Sequence, residues 1–101
     1  MTSDERVKQM PSVPTIAEGG VPGYEFTAWI GAFVPARTPQ TIVKRLNAEL
    51  KKVLDDSETA RKLSDQTLDP MYMTPAQFEK RLKSDYEKYG KVVQASGAKV
   101  E

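Results

Sequence analysis

The apolar positions of this 101-residue chain fall into three patterns. From Glu25 to Val34, Phe26, Ala28, Ile30, Ala32 and Val34 mark one face of an extended segment, and Thr27, Trp29, Gly31 and Phe33 mark the other. Both faces are apolar, which predicts a strand covered on both sides and not a half-exposed hairpin strand. Gly31 in its middle points to a bulge or to close approach of another backbone or a ligand. The spacing then turns helical, with Ile42, Val43, Leu46, Leu50, Val53 and Leu54 on one face and Lys44, Arg45, Glu49, Lys51 and Lys52 mostly on others. A third run, Phe78, Leu82, Tyr86, Tyr89, Val92 and Val93, predicts a second long helix.

Local signals divide these runs. Thr15 and Glu18 form a T-x-x-E capping-box pattern for one short turn, closed by Gly19-Gly20. That glycine pair lacks the neighbours of a phosphate loop, so a turn is the better reading. Val21-Pro22-Gly23-Tyr24 has the residue order of a type II turn. Thr38-Pro39 predicts an N-cap followed by proline at the first helical position. Asp56 is read as the N-cap of a short helix through Ala60 and Leu63, in preference to a metal ligand with Asp55. Thr67–Met73 holds room for a short edge strand limited by Pro70. Thr74, Pro75 and Gln77 repeat the capping box, and Gly97 is the helix stop. Met1–Met10, polar and aperiodic, reads as a frayed terminus.

Composition narrows the chemistry. With no cysteine and no histidine, thiol nucleophiles, disulfides, imidazole catalysis and nearly all zinc or copper sites are excluded. The remaining carboxylates, Glu18, Asp55 and Asp56 among them, have capping or solvated roles, so no catalytic residue, metal ligand or cofactor is assigned. A net charge of +1 gives no footprint for nucleic acid or an anionic membrane. No apolar run approaches the roughly 20 residues of a membrane span. Hydrophobic and charged fractions of 39% and 29% are those of a folding chain, so global disorder is not expected.

One ordered set of short motifs carries a resemblance. Pro11-Ser12-Val13-Pro14-Thr15 with Glu18 and Gly20 leads to Pro22-Gly23-Tyr24, Trp29, Gly31 and Pro35-Ala36-Arg37-Thr38-Pro39. Ile42-Val43, Leu46-Asn47, Thr74-Pro75, Phe78, Gly90-Lys91-Val92-Val93, Gly97 and Lys99 complete it. In this set the chain resembles the C-terminal third of Bug-type extracytoplasmic solute-binding receptors of tripartite tricarboxylate transporters. Two places depart from the pattern. Arg37 stands where such proteins usually carry glycine, and so does the neighbourhood of Thr67, followed by Tyr72-Met73 where small residues are usual.

The resemblance implies an α/β chain, the C-terminal fragment of a type II periplasmic-binding fold, mostly helical with one or two strands. Residues 1–101 would form a single partial domain: a loop and turn region at 1–24, a hinge-return strand at 25–35 and C-terminal helices at 38–101. It also implies capture of a small carboxylate solute by the full-length protein, delivery to membrane permease subunits, and no chemistry on the solute. Thr27 and Trp29, on one strand face, become the candidate ligand contacts, with hinge packing the competing role for Trp29. Periplasmic location is implied, whereas the charged start MTSDERVKQM holds no signal peptide and predicts a cytoplasmic chain if expressed as written. The alternative reading is a free-standing helical interaction module. Its unpaired apolar strand would form a homodimer by strand pairing or swapping.

Overall fold

Three α-helices carry the regular structure of the computed structural model, which describes residues 1–99: α1 (Gln40–Asp55), α2 (Ser57–Asp65) and α3 (Pro75–Ser96). Val100 and Glu101, the end of the expected tail, lie outside the described residues. Asp56 separates α1 from α2 in extended conformation, and its carboxylate accepts the Thr59 amide at 2.8 Å, as an N-cap does. At the start of α3 both bonds of the capping box form. The Gln77 amide donates to Thr74 Oγ1 at 3.2 Å, and the Thr74 amide donates to Gln77 Oε1 at 2.9 Å. Gly97, left-handed at φ 66°, ends the helix.

The start of α1 differs from expectation. Pro39 occupies the cap position and no side chain caps it. Thr38 instead turns back, its Oγ1 donating to Pro35 O at 2.7 Å. The preceding residue, Arg37, has φ 69°, and this left-handed step directs Thr38 toward the proline turn and away from the helix end.

The expected α/β character is not observed: no strand occurs among the described residues. Residues 25–34 are extended, but a strand needs a neighbour to accept and donate along its length. Here one backbone bond, Phe26 N–H to Thr2 O at 2.7 Å, links the segment to another part of the chain. Residues 67–73 are also a loop, with Pro70 inside it. That loop is tied to α1 through Asn47, whose Nδ2 donates to Met73 O (2.9 Å) and whose Oδ1 accepts from Tyr72 Oη (2.8 Å). The N-terminus is better anchored than a frayed end. The Met1 ammonium donates to Pro14 O at 2.7 Å, and Met1 O accepts from the Ile16 amide at 2.9 Å. The Thr15–Glu18 box forms as a turn, with Arg6 pairing to the Glu18 carboxylate at 2.9 Å. The Pro22-Gly23 turn forms as well, closed by Tyr24 N–H to Val21 O at 3.2 Å with Gly23 at φ 79°.

The distribution of apolar side chains decides how this chain is held together. No hydrophobic residue is buried among the described residues; only Thr15 and Asp85 are. α1 packs on α2 and touches α3, yet Ile42, Leu46, Leu50 and Val53 remain exposed. The radius of gyration, 16.6 Å, exceeds the roughly 13 Å of a compact domain of this length. The apolar face of α1 that the sequence predicts is formed but largely uncovered.

Candidate functional site

The extended segment and α3 build the most developed feature of the molecule. Along the segment, Glu25, Thr27, Trp29 and Gly31 are half-buried, and Phe26, Ala28, Ile30 and Ala32 are exposed. The first set lies along α3 because Gly31 lets it. A Cβ there would meet Phe78 Cζ at 2.7 Å, closer than real contacts allow. The close approach at Gly31 is thus to an aromatic side chain, where the sequence alone points to a bulge, another backbone or a ligand. Trp29 and Phe33 both meet the Phe78 ring, at centroid distances of 5.2 and 5.3 Å, the first edge-on. Phe26 meets Tyr89 edge-on at 5.5 Å.

A polar network crosses the same contact. Trp29 Nε1–H donates to Asp85 Oδ2 at 2.8 Å, and Arg81 Nε–H donates to the same oxygen at 2.9 Å. Lys88 Nζ donates to Glu25 O at 2.6 Å and pairs with the Glu25 carboxylate. Arg81 Nη2 lies 3.7 Å from Glu25 Oε1. Two cations and two carboxylates therefore balance within one node. Burial pushes the Asp85 carboxyl up, but the Trp29 and Arg81 hydrogen bonds and the nearby cations outweigh it and hold it below its ordinary value. The Lys88 hydrogen bond, with a further contribution from the nearby Thr27 side chain, lowers Glu25 likewise. Two buried polar atoms here, Arg81 Nη2 and Tyr89 Oη, have no hydrogen-bond partner.

Beside this node an open groove of about 760 Å³ runs between residues 26–29 and α3. Phe26, Trp29, Tyr86, Tyr89 and Val93 make its apolar wall, and Asp85, itself buried, is the carboxylate residue of its lining. Thr27 and Trp29, the two expected ligand contacts, both line the groove. Trp29 also packs edge-on against Phe78 of α3, and its sole donor is engaged by Asp85. A further departure concerns α3: Tyr86, placed on its apolar stripe by spacing, is 82% exposed. The face turned to the segment is Phe78, Arg81, Asp85 and Tyr89. Sequence reasoning missed Glu25, Arg81, Asp85 and Lys88. The available signal was the Arg81–Asp85 pair one helical turn apart, in register with Phe78 and Tyr89.

Among the described residues no group of three His, Cys, Asp or Glu side chains could hold a metal. Likewise, no helix there is long and apolar enough to cross a membrane.

Comparison with known proteins gives one consistent answer. The family model described as "Tripartite tricarboxylate transporter family receptor" matches residues 1–98. The chain is 36% identical, over 92% of its length, to the protein named for the tcbD-tcbE intergenic region of Pseudomonas sp. (strain P51). It is 30% identical over 96% of its length to the Agrobacterium vitis protein named for the TAR-I ttuE-ttuC' intergenic region. Protein BugT of Bordetella pertussis is 28% identical over 97% of the chain. The matches cover 28%, 29% and 30% of those relatives, so the chain spans under a third of their length. With the family model matched over nearly all its residues, the chain belongs to the tripartite tricarboxylate transporter receptor family.

Proposed function

We propose that this chain is the C-terminal part of a periplasmic solute-binding receptor that captures small carboxylates for a tripartite tricarboxylate transporter. In that role it binds without chemistry, hands the solute to membrane permease subunits, and is not ligand-competent alone. The observation that carries the reading is the family match over residues 1–98 by a chain with no buried hydrophobic residue among those described. An amphipathic helix or an extended segment is stable where its apolar face is covered. Here Ile42, Leu46, Leu50, Ile30 and Phe33 are all exposed, which supports a larger body as their natural cover. The groove along residues 26–29 then stands at the edge of a solute cleft, with Thr27 and Trp29 on its wall.

A chimera tests this. Residues 1–98 replace the matched stretch of BugT, and citrate and related carboxylates are titrated by calorimetry into the chimera and into the isolated chain. The chimera is expected to fold cooperatively and to bind a solute that the isolated chain does not. Stoichiometric binding by the isolated chain, or a folded chimera that binds none of the carboxylates that intact BugT binds in the same titrations, would refute the reading.

A further inference from the structure

Asp85 is the one charged residue withdrawn from water among the described residues, at 7% exposure. A carboxylate in that position is costly unless it is paired and hydrogen-bonded. Its Oδ2 accepts two donors, one from Arg81 a helical turn away and one from Trp29, 56 residues distant in sequence. Indole has a single donor, so the bond to Asp85 leaves Trp29 no N–H for any ligand.

We propose that Asp85 is the positioning residue of the groove: it holds the edge of the Trp29 indole against α3, so that the ring lines the groove without offering it a donor. The groove's importance rests on the receptor reading; the placement of Trp29 does not. The arrangement assigns a division of labour to a bound carboxylate solute. This wall, with Phe26, Trp29, Tyr86 and Tyr89, meets the hydrocarbon part of the solute through ring surface. The Trp29 N–H is not among the donors for its carboxylate, because Asp85 already holds it. The charged groups acting on Asp85 are Arg81 and Lys88 of α3, both of which also face Glu25 of the segment.

Because Trp29 is the only tryptophan, the ¹⁵N-labelled 101-residue chain gives one indole N–H resonance, read without any solute. The wild type is expected to show an indole proton exchanging slowly with water, with a resonance that shifts on acidification. Glu25→Gln, which removes the other titrating carboxylate of the node, is expected to retain that acid transition. Adding Asp85→Asn, which keeps shape and an acceptor, to the Glu25→Gln background is expected to abolish it. Asp85→Ala is expected to move the signal to a fast-exchanging, water-exposed position with helix content retained by circular dichroism. Fast exchange in the wild type, or an acid transition that persists when Asp85→Asn is added to Glu25→Gln, overturns the proposal. The wild-type exchange rate decides even where the Asp85 variants lose helix content. A chimera that binds no solute leaves this placement intact, and a failed indole experiment leaves the receptor reading intact.

Discussion

Replacing Thr67 by glycine should stabilise the end of α2, and the gain can be worked from the structure. The helix stops in a Schellman arrangement, with Leu68 N–H donating to Leu63 O and Thr67 N–H donating to Ser64 O, both at 2.9 Å. The residue that turns the chain there is Thr67 at φ 58°, a β-branched side chain in left-handed conformation. That conformation costs an L-residue roughly 1–2 kcal/mol. Glycine escapes this cost but gives back about 0.5–1 kcal/mol through its freer unfolded chain. The Thr67 hydroxyl bonds only to the exposed Gln66 O (2.6 Å), which water can replace, so its loss adds little. The expected net gain is about 0.5–1 kcal/mol, up to roughly a five-fold shift in the local opening equilibrium. Native-state amide exchange of Leu63 to Leu68 reads that shift directly. Thr67→Ala is the control, since it removes the hydroxyl but keeps the Cβ that is strained. If Thr67→Gly protects these amides no better than Thr67→Ala does, the strain argument is wrong.

Three other outcomes follow from the same geometry. Gly31→Ala forces a Cβ to within 2.7 Å of Phe78 Cζ and should undock the segment, at about 1–3 kcal/mol for overpacking; Phe78→Leu in the same chain should restore part of the loss, read by Trp29 emission. Thr74→Ala removes half of the capping box and should cost α3 about 1 kcal/mol, seen as reduced helix content and earlier urea unfolding. Acid should loosen the node: Glu25 and Asp85 have folded-state values below their unfolded ones, so their contribution is complete above the ordinary carboxylate range of about 4 and is lost as pH falls through the depressed values. Trp29 emission should therefore be flat from neutrality down to that range and change only below it; a transition centred near neutral pH would contradict the assignment.

What was legible in the sequence was whatever a few neighbouring residues decide. Asp56, Thr74 with Gln77, and Gly97 mark helix ends through bonds spanning three residues or fewer, and the structure places all three as read. Thr38 failed as a cap because the deciding residue was Arg37, whose left-handed backbone is not the default for its type. Arg37 and Thr67, at or near places where the resemblance leads one to expect glycine, are the only non-glycine residues with positive φ among those described. The strand at 25–34 was read from apolarity on both faces, which reports that something covers a segment but not what pairs with it. With no second strand among the described residues, the segment lies on a helix. The candidate site was half legible. Thr27 and Trp29 do share one groove wall, but Glu25–Lys88 and Trp29–Asp85 join residues 63 and 56 positions apart, and no spacing rule reaches that far.

The uncovered apolar faces also have a calorimetric meaning. The heat-capacity increment of unfolding comes chiefly from apolar surface newly met by water, about 12–15 cal/mol/K per residue in an ordinary domain. A chain most of whose Leu, Ile and Phe side chains already face solvent, with none buried among the described residues, has little such surface left to expose. Its own melting should be a shallow, broad event of small enthalpy, with a stability curve nearly straight in temperature. The missing increment would surface when those faces are covered, as a large negative heat-capacity change of association. That single quantity measures how much of the molecule's core belongs to its surroundings.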